Sequence, residues 1–278
     1  MIDIRLIASD VDGTMLPANG AISEDLRRAI ARCLERGIPF LLSSGRWIGA
    51  LGRIIERCGV GGQPMIIANG AAVLGPDGVP LREWTLDEAD ARRAYDVMRR
   101  FDVQINSYVR DGLYCLNTHV LARQATMIRD YLGTGHARLS LDDPAAFDAF
   151  ALTAPYKLEA MTEDPELIRK VRAALRETGL AVTHSSSRNV ELMAPGVGKG
   201  QALRWLAGRM GIPLDKCMAF GDNANDLDML SVVGWPVAVG NAEAAVKAAA
   251  RIVGPADVDD GVARVLFEQV LGTSKNHP

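Results

Sequence analysis

The chain has 278 residues, of which 48% are hydrophobic and 23% charged, with a formal net charge of −3. That is the composition of an ordinary globular protein, long enough for one large or two medium domains. The charge excludes a broad nucleic-acid-binding surface, and no apolar run approaches the length of a membrane span.

The chain enters a strand at once, Ile4 to Ser9, with no basic-then-apolar leader, so the expected compartment is the cytoplasm. The strand ends in Asp10-Val11-Asp12-Gly13-Thr14. Carboxylates at i and i+2 of an extended segment point the same way. At the end of a buried strand such a pair is costly unless a cation sits there. Magnesium suits it, preferring a few carboxylates plus water and phosphate; a solvated turn is the other reading. Ser23 can N-cap a helix to Glu35, which Gly37 ends. A strand follows at Ile38 to Leu42, running into Ser43-Ser44-Gly45-Arg46, then a helix from Ile48 to Cys58 and a strand from Met65 to Ala68 before Asn69-Gly70. This alternation predicts a parallel sheet with right-handed crossovers.

The pattern changes after about Leu81. Thr85-Leu86-Asp87-Glu88 fits a capping box opening a helix to Phe101. Val103 to Val109 and Leu113 to Asn117 read as a hairpin around Arg110-Asp111-Gly112. A helix from Val120 to Leu132 follows, and 133–155 fits no element. A strand from Tyr156 to Met161, a helix from Pro165 to Thr178 and short strands at Leu180 to His184 and Val190 to Met193 complete this stretch. Ser185 to Arg188 reads as a solvated loop. The β-α alternation then resumes. A lone Lys199 in Gly196-Val197-Gly198-Lys199-Gly200 opens a helix from Gln201 to Met210. A strand from Met218 to Phe220 runs into Gly221-Asp222-Asn223-Ala224-Asn225-Asp226. Helix Asn225 to Leu230, strand Pro236 to Val239, and helices Ala242 to Ala250 and Val262 to Leu271 follow, with a frayed tail from Ser274. The fold class expected is α/β. Residues 1–81 and 190–278 form a parallel-sheet core, and 82–189 an inserted α+β domain.

Cys33, Cys58, Cys115 and Cys217 show no Cys-x-x-Cys spacing and read as small buried hydrophobes. His119, His136, His184 and His277 lack metal-ligand spacing. A nucleotide P-loop fails at Gly198-Lys199, because position 193 is Met and Gly200 stands where Ser or Thr is needed.

Four motifs in order, Asp10 to Thr14, Ser44 to Arg46, Lys199-Gly200 and Gly221 to Asp226, resemble those of the haloacid-dehalogenase superfamily of phosphatases. With Asn69-Gly70-Ala71, Val239 to Ala242 and Asp260 to Val262, the resemblance extends over nearly the whole chain and narrows to the Cof-type branch, which carries a large C2-type α/β cap. It departs in Ser44, where Thr is frequent, and in Gly198, where Ser is usual before the lysine. The resemblance implies a Rossmann-like core with residues 82–189 as a cap that selects substrate.

It also implies roles. Asp10 would be the nucleophile and Asp12 the general acid and base. Mg2+ would be held by Asp10, Asp222 and the backbone carbonyl of Asp12. Ser44, Gly45, Asn225 and Lys199 would bind phosphate, and Asp226 would orient Lys199 or support the metal. Arg46 is either a surface residue or a substrate contact; Asn69 reads as a turn before Gly70; Asp228, Asp259 and Asp260 read as solvated or capping. The function implied is a phosphatase of a small phosphorylated metabolite acting through an aspartyl-phosphate. A sugar phosphate or a phosphorylated cofactor is the expected substrate, and a monomer or small homo-oligomer the expected assembly. A phosphomutase of the same superfamily and a non-catalytic binding protein are the alternatives, and a single-domain signalling receiver is opposed by the insertion and by Asp12.

Overall fold

A computed structural model describes residues 2–18, 20–121 and 138–272. The expected tail from Ser274, His136, His277 and all of the Val120–Leu132 helix past Leu121 lie outside them. The chain divides into two compact units. One comprises Met1–Gly45, Arg53–Arg82 and Gly198–Pro278, the other Arg46–Gly52 and Glu83–Val197.

The strands in chain order are β1 (Leu6–Ser9), β2 (Phe40–Leu42), β3 (Met65–Ile67), β4 (Ala72–Leu74), β5 (Pro80–Glu83), β6 (Gln104–Val109), β7 (Gly112–Leu116), β8 (Arg138–Leu141), β9 (Lys157–Met161), β10 (Ala181–Thr183), β11 (Asn189–Met193), β12 (Cys217–Gly221), β13 (Trp235–Ala238) and β14 (Ile252–Val253).

In the first unit five strands pair in the order β14-β13-β12-β1-β2, all parallel. Every residue of β1, β2 and β12 is buried, as expected of a sheet covered by helices on both faces. In register, Ser9 lies beside Phe220 and Leu42, so β1, β2 and β12 end together and Asp10, Ser43 and Asp222 emerge at one edge. Helix Glu24–Glu35 starts at Ser23, whose hydroxyl accepts from the Leu26 amide at 3.0 Å. It buries Leu26, Ala29, Ile30 and Cys33 and packs on the C-terminal helix, Gly261–Val265 continued as Leu266–Leu271.

Some elements differ from expectation. The helix expected over 48–58 is a single turn, Ile48–Ala50, followed by Gly52–Cys58. β3 turns back through β4 and β5 as a small three-stranded sheet, and the two-residue edge strand β14 is too short to leave a hydrophobic pattern. The helix expected from Gln201 begins at Lys199.

The second unit holds a six-stranded sheet in the order β10-β11-β9-β6-β7-β8, antiparallel except for β7 with β8. Its helices Glu88–Met98 and Pro165–Arg176 start at Asp87 and Asp164, whose carboxylates accept the first free amides. Asp87 therefore replaces the Thr85 capping box as the start signal. The segment 133–155, which fitted no element, supplies β8 and a short helical stretch over 144–151.

Strand alternation divides this sheet's two faces. Ile105, Leu158, Ala160, Val190 and Leu192 point into the apolar core with Val171 and Leu175 of the second helix. The alternate residues Asn106, Glu159 and Glu191 form one register row across β6, β9 and β11, with Tyr108 beside Lys157. All four cysteines are buried and unpaired. Among the described residues no helix is long and apolar enough to cross a membrane.

Candidate active site

The first unit gathers its acids at the C-terminal edge of its parallel sheet, where ligands bind in open α/β folds. Asp10 follows β1, its amide continuing the ladder to the Phe220 carbonyl at 3.0 Å. Asp222 follows β12 directly. Asp226 lies in the turn beyond, its Oδ2 accepting the amides of Asp222 (3.0 Å) and Asn223 (3.1 Å) and closing a capping box. Lys199 reaches in from the first turn of its helix. Its Nζ donates to Asp10 Oδ1 at 2.6 Å and to Asp226 Oδ1 at 2.7 Å. Lys199 and Asp226 are fully buried, and Asp10 and Asp222 nearly so.

Two carboxylates therefore hold one ammonium, with the Asp222 carboxylate beside them. Burial pushes Asp10 well above the usual carboxylate range; Lys199 opposes this, and the charges of Asp226, Asp222 and Asp12 add to it. Burial and Asp226 likewise raise Asp222 to about 7, against a hydrogen bond from Thr14 and the charge of Lys199. Burial alone would lower Lys199, but Asp10 and Asp226 outweigh it and keep the ammonium protonated. Oxygen donors of Asp10, Asp222 and Asp226 lie within 4.8 Å of one another. A hard divalent cation fits this set, since it takes oxygen ligands and its charge removes the repulsion. Asp226 accepts from Lys199 and from two backbone amides, more than Asp222 or Asp10, so it has the least capacity left for a cation.

Asp12 is exposed on the turn after β1. Ser44 follows β2, buried, with its amide on the Ile66 carbonyl at 2.9 Å. Asn225, in the loop after β12, donates from Nδ2 to Asn69 Oδ1 at 3.0 Å. Arg46 falls in the second unit, where its guanidinium donates to the Ala50 carbonyl at 3.2 Å. Asp10, Lys199, Asp222 and Asp226 are thus one bonded cluster, and Ser44, Gly45, Asn225 and Asn69 are a second group of the same unit joined through Asn69. Ser185 and Ser186, in the second unit, donate to the Asn189 side chain in a local turn.

Three further side chains shape the site. Thr14 Oγ1 donates to Asp222 Oδ1 at 2.7 Å, tying the first motif to the last. Asn241 Nδ2 donates to the Gly13 carbonyl at 2.7 Å. Asp228 Oδ2 accepts the Gly200 amide at 2.8 Å, and burial raises its carboxyl against that bond. Gly198, the N-cap of the Lys199 helix, has no side chain to cap it; a Cβ there would lie 2.0 Å from Asp228 Oδ2. A carboxylate from the next helix thus occupies the place of the missing cap. Asp228 was expected to be solvated or capping, and it caps. Asn69, expected only to turn the chain, is buried and bonded inside the site.

Comparison with known proteins gives consistent relatives. A family model described as haloacid dehalogenase-like hydrolase matches residues 7–266. A 5-amino-6-(5-phospho-D-ribitylamino)uracil phosphatase of Bacillus subtilis is 28% identical over 277 residues, covering 97% of this chain and 97% of the relative. A second Bacillus subtilis phosphatase is 27% identical over 300 residues, covering 95% of this chain and 99% of its own. A crystal structure of a Thermotoga maritima protein superposes with a TM-score of 0.78 at 28% identity, over 95% of this chain and 97% of that one.

Proposed function

The chain belongs to the haloacid dehalogenase-like hydrolase family, and from that premise we propose that it is a magnesium-dependent phosphatase of small phosphorylated metabolites. The observation that carries the reading is the buried cluster of Asp10, Asp222 and Asp226 around Lys199 at the edge of the parallel sheet. No structural role requires three crowded carboxylates at one strand edge, whereas phosphoryl transfer needs charge neutralisation and positioning there.

Asp10 acts as the nucleophile. Its carboxylate attacks phosphorus in line, the bond to the leaving oxygen breaks, and an aspartyl-phosphate forms. Asp12, exposed two residues on, gives its proton to the leaving alkoxide. It then takes a proton from the water that cleaves the acyl-phosphate, a contribution of roughly 10²–10⁴-fold. Lys199, Ser44 and Asn225 bind phosphoryl oxygens, with the amide of Gly45 beside them. Asp226 holds Lys199 in place through the 2.7 Å bond. Asp10, Asp222 and the Asp12 carbonyl would hold Mg2+, which supplies charge neutralisation for the phosphoryl group and for the carboxylates themselves.

The inserted unit, residues 82–189, serves as the cap that selects the leaving group, with Arg46 as a substrate contact. A relative named for a phosphoribityl compound supports phosphorylated sugars, sugar alcohols and the cofactors built on them as the substrate class. Four buried, unpaired cysteines suit a reducing compartment such as the cytoplasm. The test is phosphate release from a panel of phosphorylated sugars, sugar alcohols and cofactors, with and without magnesium, beside Asp10→Asn protein. Metal-dependent turnover abolished by the substitution is expected. Turnover that persists in Asp10→Asn protein, or in the absence of metal, overturns the proposal.

A further inference from the structure

We propose that Asn69 is a positioning residue, whose side-chain oxygen fixes the orientation in which the Asn225 carboxamide meets a phosphoryl group. The inference rests on the phosphatase reading above and adds a residue to it.

Asn69 stands where three loops of the first unit meet. Its amide donates to the Ser44 carbonyl at 3.0 Å, joining the loop after β2. The next residue, Gly70, presses on the loop before Lys199, where a Cβ would lie 2.1 Å from the Gly198 carbonyl oxygen. Its own side chain meets Asn225, in the loop after β12, across 156 residues of sequence. To occupy this joint Asn69 adopts φ 55° and ψ 34°. Among residues with a side chain, Asn tolerates that left-handed conformation best. A turn alone would be served by Gly, yet a carboxamide is present and only 1% exposed.

The carboxamide has a defined task. Asn69 Oδ1 accepts from Asn225 Nδ2 at 3.0 Å, while Asn225 Oδ1 is buried with no hydrogen-bond partner. An amide free to turn would satisfy its oxygen, because unpaired buried acceptors are costly. Here, turning it over would set Asn225 Oδ1 against Asn69 Oδ1, two acceptors face to face. Gly45 leaves room for the Asn69 carboxamide here, since a Cβ at that position would lie 2.8 Å from Asn69 Oδ1. Asn69 therefore holds Asn225 with its amide nitrogen committed, and the second N–H of that nitrogen remains for an anionic oxygen.

The test is a double-mutant cycle on the full chain with magnesium, using para-nitrophenyl phosphate as substrate and inorganic phosphate as inhibitor. Asn69→Gly accommodates the left-handed backbone and removes the side chain with its carboxamide. In the wild-type background it is expected to raise KM and the phosphate inhibition constant by roughly five- to tenfold, the worth of one hydrogen bond, with kcat within about twofold. In an Asn225→Ala background the same substitution should change either constant by less than about twofold, because the residue through which Asn69 acts is gone. An equal effect in both backgrounds, or no effect in the first, overturns the inference. If Asn69→Gly does not unfold cooperatively, Asn69→Ser, whose hydroxyl is too short to reach Asn225, takes its place. If the wild type binds phosphate without turnover, the phosphatase reading fails, and the cycle is read from calorimetric phosphate dissociation constants with the same two outcomes. Neither turnover nor binding by the wild type overturns both.

Discussion

The two units each bury a cluster of charge, and the clusters are built on opposite terms. In the second unit Glu159 accepts from Asn106 Nδ2 at 3.0 Å, from Tyr108 OH at 2.8 Å and from Asn189 Nδ2 at 2.8 Å. Lys157 donates to Glu191 at 2.5 Å and lies 4.5 Å over the Tyr108 ring. Burial would raise the Glu159 carboxyl, but the Lys157 charge and the bonds from Asn106, Asn189 and Tyr108 bring it below its ordinary value. In the first unit Asp10 and Asp222 have fewer donors than Glu159 and more like-charged neighbours, and both are driven up. A buried network that satisfies its acids supports a fold. One that leaves them in conflict is held for something that arrives later, and perturbed groups of that kind mark functional sites.

The comparison is broken most severely at Asp10. Asp10→Asn should cut phosphate release by roughly 10³-fold or more, as loss of one member of a catalytic unit does. In metal-free protein its thermal midpoint should hold or rise, because one of three crowded charges is gone. A fall in that midpoint would show the acids to be structural. The converse experiment is Lys157→Met, which removes the cation bonded to the buried Glu191 carboxylate. Urea denaturation should show a loss of roughly 3–5 kcal/mol, most of it recovered by adding Glu191→Leu. Unchanged stability in the single variant would remove the contrast.

A smaller effect is expected at Asp228. Asp228→Ala should cost about 1 kcal/mol, the worth of a helix cap, and adding Gly198→Ser should restore it, since the space for the serine is then open; failure of that rescue in thermal unfolding would assign Asp228 another role. The smallest effect is at Glu159. Its carboxyl is depressed in the folded state, so its contribution is complete above the unfolded value of about 4.3 and disappears as pH falls through the lower folded value. A plot of thermal midpoint against pH from about 6 down to 3 should therefore flatten in Glu159→Gln, and an unchanged slope would place the acid sensitivity elsewhere.

Much of this was readable from residues close together in sequence. The acids at Asp10, Asp12, Asp222 and Asp226 follow short apolar runs, and a buried strand ending in carboxylates is a local pattern. The helix start at Ser23 is local too. What could not be read depends on partners far away. Thr14 and Asp222 are 208 residues apart, Asn69 and Asn225 are 156 apart, and Gly200 and Asp228 are 28 apart. The polar row of Asn106, Glu159 and Glu191 looks in sequence like three unrelated hydrophilic residues, because only strand register sets them side by side. Thr85 misled because Asp87, two residues on, offers a competing cap of the same kind.

The pairing of β1 with β12 has a consequence for synthesis. Ser9 is made long before Phe220, yet the two lie side by side in neighbouring strands. Until that segment leaves the ribosome, Asp10 has neither Lys199 nor Asp222 beside it and is an ordinary solvated aspartate. Non-local pairing of this kind is slow to form, so the acid cluster assembles only after β12 and the turn that follows it have been made.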